Sequence, residues 1–102
     1  ARPEVLQGLL ERLRDEDEDV RRAAAEALGK MGAAARPEVL QGLLERLRDE
    51  DEDVRRAAAG ALGAWHRQGL RFFQDAQAHW TVRTVEELSA LPEGPGSDGG
   101  PD

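Results

Sequence analysis

The stretch DEDEDVRRAAA occurs at residues 15–25 and returns, letter for letter, at residues 49–59. The identity is longer than this stretch, because residues 1–25 match residues 35–59 at every position. A period of 34 residues lies within the 20–50 range typical of stacked repeat units. The duplicated stretch therefore predicts a repeat architecture.

Each unit has the pattern of two helices joined by an acidic turn. Apolar residues at helical spacing predict a first helix over about residues 3–14, with Pro3 in its first turn. The second helix is predicted to start at Asp17 or Glu18, where carboxylates are favoured by the helix dipole. Gly32 is expected just past its end, in a left-handed conformation. The expected buried face of this second helix consists of Val20, Ala23, Ala24, Ala27, Leu28 and Met31.

The segment after the second repeat has two readings. Apolar and small residues continue at helical spacing as far as Trp80, so the fourth helix either runs on or is broken at Gly69, with a fifth helix starting near Leu70. The glycines of this segment favour the break. Thr84 and Glu87 have capping-box spacing, which predicts a short helix over residues 85–91. Residues 92–102 are rich in Pro and Gly and are expected to be disordered.

The segment from Leu13 to Gly29 resembles a HEAT repeat, in the short HEAT-like form of phycobilisome lyase relatives. The resemblance covers residues 1 to about 65 and departs at Glu16 and Glu50, where the family often has Pro. The residues that match are Asp15, Val20, Arg21, Ala24, Ala27, Leu28 and Gly29, with Asp49, Val54, Arg55, Ala58, Ala61, Leu62 and Gly63 in the second copy.

This resemblance implies an all-α fold, a right-handed α-solenoid of two HEAT-like helical hairpins whose second helices line a concave face. The expected organisation is repeat 1 at 1–34, repeat 2 at 35–68, a divergent C-terminal helical cap at 69–91 and a disordered acidic tail at 92–102. The resemblance also implies a structural ladder between the repeats, in which Asp15 and Asp49 pair with Arg21 and Arg55. We expect Asp15 and Arg55 to be coupled across the boundary.

Composition narrows the class of partner. Fourteen basic and twenty-one acidic residues give a formal charge of −7, which disfavours nucleic acid and anionic membrane surfaces. The absence of Cys favours a reducing compartment, and we expect a cytoplasmic protein. No apolar run reaches the roughly 20 residues of a membrane span. Two repeats are fewer than the usual three, so we expect upstream repeats in a longer protein, or self-association through the exposed N-terminal repeat.

No pattern in the chain indicates catalysis, a cofactor or a metal. The alternating Asp15, Asp17 and Asp19 lack the Gly and the terminal Glu of a calcium-binding EF-hand loop. His66 and His79 have no adjacent Glu, whereas the iron-binding HEAT-like deoxyhypusine hydroxylases use His-Glu pairs. We therefore expect that the chain is not an enzyme and binds no cofactor.

The expected function is protein–protein interaction or scaffolding within a larger repeat protein. One alternative is an accessory subunit or domain of an enzyme such as a bilin lyase, and a second is nucleic-acid binding through concave arginines, as in some HEAT-like DNA glycosylases. On the concave face we expect Glu18, Arg22, Ala25, Glu26 and Gly29 to point outward, beside Glu52, Arg56, Ala59, Gly60 and Gly63. The alternative for that face is an ordinary solvated surface.

Four aromatic residues follow the last clear repeat and suggest either a cap or a docking patch. A cap over the final helix pair is favoured, because the terminal unit of a repeat array is normally atypical. The candidate partner-binding residues are Arg22, Glu26, Arg56, Trp65, Phe72, Phe73 and Trp80.

Overall fold

The structure, a computed structural model, describes residues 3–90. The expected disordered tail at residues 92–102 lies outside the described residues. The α-helices are α1 (Pro3–Arg12), α2 (Glu18–Gly29), α3 (Pro37–Arg46), α4 (Glu52–Arg67) and α5 (Val85–Ala90). A 3₁₀-helix (Gly32–Ala34) links the two repeats, and strands β1 (Leu70–Gln74) and β2 (Trp80–Thr84) lie between α4 and α5.

The helices start where the sequence predicts them. Asp17 caps α2 by accepting the backbone N–H of Asp19 at 2.7 Å, and Asp51 caps α4 through Asp53 at 2.8 Å. These side chains satisfy N–H groups that have no partner within the helix. Helix α1 ends two residues earlier than predicted, although the next apolar residue, Leu13, is still buried.

The core lies between the two helical hairpins, and α2 and α4 form the most extensive contact between any two helices. The predicted buried face of α2 is partly wrong, because Ala23 is exposed whereas Ala25 and Gly29 are buried. A methyl group added to Gly29 would lie 2.7 Å from Ala61 Cα, so the two helices touch almost backbone to backbone. The prediction considered packing within one hairpin, whereas a helix in a stack is contacted from two sides.

The connection after α2 also differs from the expectation. Lys30 ends the helix with φ −82°, and its N–H donates to the carbonyl oxygens of Ala27 and Leu28. Gly32 instead opens the 3₁₀-helix, and the left-handed glycine in the described residues is Gly69, with φ +92°. Gly32 is therefore not the left-handed residue that the sequence suggested.

The predicted helical cap over residues 69–91 is wrong for its first part, which is an antiparallel β-hairpin. The break at Gly69 is present, but β1 follows it in place of a fifth helix near Leu70. Leu70 and Phe72 alternate with exposed or polar residues and lie opposite Thr84 and Val82 on the same face of the hairpin. Such alternation, with β-branched and aromatic residues, fits a strand that is buried on one side.

The hairpin packs on the helices of the second repeat. Its turn is closed by Asp75, whose side chain accepts the N–H groups of Gln77 and His79 at 2.9 Å. Beyond β2, Thr84 and Glu87 exchange two capping hydrogen bonds of 2.8 and 3.0 Å, so the predicted capping box is confirmed. The terminal unit therefore combines a hairpin with one short helix.

Candidate protein-binding groove

The junction between the repeats is held by a buried ion pair. The guanidinium of Arg21 donates to Asp49 through Nε at 2.9 Å and Nη2 at 3.0 Å. Its Nη1 donates to the carbonyl oxygens of Asp15 and Glu16, which close the turn of its own repeat. One arginine thus joins the turn of repeat 1 to the turn of repeat 2, with a geometry that suits the planar guanidinium.

Asp49 accepts hydrogen bonds from three directions. Besides Arg21, Arg46 Nη1 lies 3.0 Å from Oδ2 and the backbone N–H of Asp51 lies 2.9 Å from Oδ1. Burial raises the pKa of the Asp49 carboxyl, but these hydrogen bonds and positive charges outweigh burial and hold that pKa below its ordinary value. The hydrogen bond to Asp49 in turn raises the pKa of Arg21. Both groups are therefore charged at neutral pH.

Of the two pairs that could join the repeats, only the one from Arg21 to Asp49 is formed. Arg21 of repeat 1 reaches Asp49 of repeat 2, whereas the expected contact between Asp15 and Arg55 is absent within this chain. Arg55 Nη1 donates to the carbonyl oxygen of Asp49, in its own repeat, at 2.7 Å. Asp15 lies in the turn before α2, and its side chain accepts the N–H of Asp17 at 2.9 Å. The expectation of Asp15–Arg55 coupling was wrong in its choice of residues, because the arginine that reaches the turn of the following repeat is Arg21 and its partner is Asp49.

Two aspartates in each acidic turn accept backbone N–H groups. Asp15 and Asp17 each accept an N–H group two residues ahead, and Asp49 and Asp51 repeat this arrangement. Within residues 3–90, no three His, Cys, Asp or Glu side chains are grouped so as to hold a metal ion. Their observed role is to form the turns and start the helices.

An open groove of about 680 Å³ lies between α2 and α4. Small residues line much of it, because Gly29, Ala57, Gly60, Ala61 and Ala64 come from the facing sides of the two helices. The charged residues of the groove are Arg22, Glu26, Lys30, Asp53 and Arg56. Three candidate residues from the sequence, Arg22, Glu26 and Arg56, are therefore brought together in one surface.

Charges of both signs alternate in the groove. Arg22 lies 3.6 Å from Asp19, and Arg56 lies 2.7 Å from Glu52 and 3.8 Å from Asp53. These ion pairs are exposed, and pairs of this kind contribute only about 0–1 kcal/mol. A partner can therefore replace them with its own contacts at little cost.

Some residues of the site were missed in the sequence. Lys30, Asp53, Ala57 and Ala64 line the groove, and each lies about one helical turn from a residue that was predicted there. Arg46 was missed at the junction, although its position three residues before Asp49 places it near that carboxylate at the end of α3. The outward position expected for Ala25 is wrong, since Ala25 is buried between the helices.

The four aromatic residues do not form one exposed patch. Trp65 is fully buried, and its indole N–H donates to the carbonyl oxygen of Leu28 at 2.9 Å, so it cannot touch a partner. Phe72 packs on Trp65 with ring centres 6.1 Å apart, and Trp80 packs partly buried against the core. Phe73 is 48% exposed. Three of the four aromatics therefore pack onto the helices, as a cap would.

Comparison with known proteins agrees with the repeat architecture. A family model described as HEAT repeats matches residues 1–71. No curated protein matches the chain. Within residues 3–90, no helix is long and apolar enough to cross a membrane. HEAT repeats generally mediate protein–protein interaction. With the match covering well over half of its length, the chain belongs to the HEAT-repeat family.

Proposed function

We propose that the chain is a protein-interaction module of a larger scaffold, and that the groove between α2 and α4 receives a helix or an extended peptide from a partner protein. The observation that carries the proposal is the small-residue lining contributed by Ala57, Gly60 and Ala64, which are exposed or partly exposed. Without large side chains in the way, the backbone of a partner can approach α4 closely.

The charges of the groove support a protein partner over nucleic acid. Arg22 and Arg56 are each within 4 Å of a carboxylate on their own helix, and Glu26 and Asp53 line the same surface. A phosphate backbone would approach these carboxylates and a net charge of −7. A peptide with charges of both signs can satisfy both sets of groups.

In this proposal the chain catalyses no reaction and acts by holding its partner. We also propose that the two hairpins follow the right-handed superhelix implied by the family resemblance, with α2 and α4 on the concave side. An accessory role in a larger enzyme would use the same groove and would leave the chemistry to the other component.

The experiment is site-specific photo-crosslinking in cells of the source organism. A photoreactive amino acid replaces the exposed Gly60, where an added Cβ atom meets no atom within 4 Å. The matched control carries it at the exposed Ala76, in the hairpin turn. We expect a crosslinked protein from position 60 and not from position 76, with a yield reduced several-fold when Arg22 and Arg56 are both changed to Glu. Equal yields from the two positions, or crosslinks to nucleic acid, would contradict the proposal.

A further inference from the structure

The two copies of the repeat have the same residues but different surroundings. Arg21, Ala25 and Gly29 are buried where α2 meets α4, and Ala25 is 0% exposed. On α4 the counterparts of these three are Arg55, Ala59 and Gly63, of which the first two are exposed and the third is partly buried. A methyl group added to Gly63 meets only the Arg67 side chain, at 3.5 Å. This outer face of α4, defined by Arg55, Ala59 and Gly63, has the residues of a helix-binding surface, and none of the described helices lies on it.

The complementary surface is open at the other end of the same chain. Repeat 2 contacts α2 through Ala57 and Ala61 of α4 and through Asp49 of the preceding turn. The counterparts in repeat 1 are Asp15, Ala23 and Ala27, of which the first two are exposed and the third is partly buried. Because residues 1–25 are identical to residues 35–59, both halves of one observed interface are present, and no other part of residues 3–90 covers them.

The β-hairpin covers only one side of the C-terminal repeat. Trp80 and Ala78 lie beside Gln41, Leu44 and Arg48 of α3 and the turn after it. In the first repeat, the corresponding side of α1 lies next to α3 of the second repeat. The hairpin therefore stands where the first helix of a third repeat would lie, and it leaves the outer face of α4 open. Between the two repeats, α2 and α4 form the most extensive helix contact. A third repeat would therefore make most of its contact with the outer face of α4, which the hairpin leaves open.

We propose that the outer face of α4 binds α2 of a second copy of this chain, so that copies associate head to tail and Arg55 of one copy pairs with Asp15 of the next. The interface continues the one observed between α2 and α4, and the charges are complementary. The hairpin replaces the contact between α3 and an incoming α1, so this association is weaker than the packing inside the chain. The two contacting surfaces differ, so the assembly grows beyond a dimer into a linear array or a ring of copies.

The test uses two exposed alanines, one on each surface. Ala59→Arg blocks the outer face of α4, and Ala23→Arg blocks the far side of α2. Sedimentation velocity over increasing concentration should show the average mass of the unchanged chain rising beyond the dimer, while each variant alone stays monomeric. An equimolar mixture of the two variants should form a dimer and nothing larger, because each retains one intact surface. Ala76→Arg, in the hairpin turn, should behave like the unchanged chain.

Three outcomes would overturn the proposal. They are a monomeric unchanged chain at millimolar concentration, a monomeric mixture of the two variants, and a loss of association in Ala59→Arg while Ala23→Arg still associates, which would mean that α4 pairs with itself. Circular dichroism checks that every variant is folded. The groove variant in which Arg22 and Arg56 are both changed to Glu should lose most of its partner crosslinking from position 60 and keep self-association, so failure of this proposal and failure of the proposed function are separable.

Discussion

At the scale of single residues, the buried pair of Arg21 and Asp49 is the contact most sensitive to substitution. Asp49→Asn removes the charge and leaves the guanidinium of Arg21 without its ionic partner. We expect the free energy of unfolding to fall by about 2–3 kcal/mol, toward the lower end of the range for broken buried pairs because the pair borders a surface groove. Urea unfolding at neutral pH and low protein concentration measures the change.

Low pH should remove the stability difference between the unchanged chain and Asp49→Asn. The pKa of Asp49 is lowered in the folded state, so its contribution to stability is present above the unfolded pKa of about 4 and is lost as the pH falls through the folded pKa. The difference in the free energy of unfolding between the unchanged chain and Asp49→Asn should therefore be constant from pH 7 to about 5 and should narrow below about pH 4. Asp15→Asn, the same residue in an exposed position, is the control and should cost less than about 1 kcal/mol. A gap that stays constant into strong acid would contradict the assigned ion pair.

The same glycine in the two repeats should respond in opposite directions to substitution by Ala. At Gly29 the new methyl group would lie 2.7 Å from Ala61 Cα, so α2 and α4 must separate, at a cost of about 1–3 kcal/mol. At Gly63 the nearest atom is the flexible end of Arg67, so Ala should stabilise the helix by about 0.5–1 kcal/mol. Thermal and urea unfolding of the two variants provide the measurement. Equal changes in stability at the two positions would contradict the close contact between Gly29 and Ala61.

At the scale of elements, the hairpin is the part of the chain that acts as the cap. Phe72 is partly buried against Trp65, whereas Phe73, its neighbour in β1, points to the opposite face and is largely exposed. We expect Phe72→Ala to lower the free energy of unfolding by about 2 kcal/mol, less than the 3–5 kcal/mol of a fully buried Phe. Phe73→Ala should cost less than about 0.5 kcal/mol. A larger loss of unfolding free energy in Phe73→Ala than in Phe72→Ala would show that the hairpin packs on the helices with its other face.

Helices α1 to α4 were predictable because their signals agree along the chain. Apolar spacing, acidic helix starts and the repeated unit all indicate the same elements, and tertiary packing does not oppose them. The hairpin was not predictable in this way, since Phe72, Phe73 and Trp80 also fit a helical spacing. Strands of five residues are too short for periodicity to decide between the two. Packing of this segment against α3 and α4 decides in favour of strands.

The groove was predicted in part, for a reason that also belongs to this scale. Helical spacing places Arg22, Glu26 and Arg56 on the polar side of their helices, and that side does line the groove. Spacing within one helix contains no information on which flank meets the next repeat. Ala25 and Gly29 were therefore assigned to the exposed side although α4 covers them.

At the scale of the whole molecule, the protection of the backbone should fall from the centre outward. Helices α2 and α4 form the most extensive helix contact and, together with α3, contribute most of the buried residues of the shared core, whereas α5 contributes none and contacts mainly β2. Local opening needs little free energy where few apolar contacts must be broken. Amide hydrogen exchange should therefore be slowest in α2 and α4 and fastest in α5, with β1 and β2 between them. Protection of α5 equal to that of α2 would contradict this order.

The indole hydrogen bond of Trp65 has a consequence for how the chain finds its native pairing. Two segments of 25 identical residues can exchange places during folding, because repeat 2 can take the position of repeat 1 in the stack with the same surfaces. Residues outside the duplication must therefore tell the copies apart. Trp65 and Gln68 bond to the carbonyl oxygens of Leu28 and Gly29, and Met31, the counterpart of Trp65, has no N–H in its side chain with which to form such a bond. The swapped arrangement thus lacks the indole bond, and this one tryptophan works against misassembly.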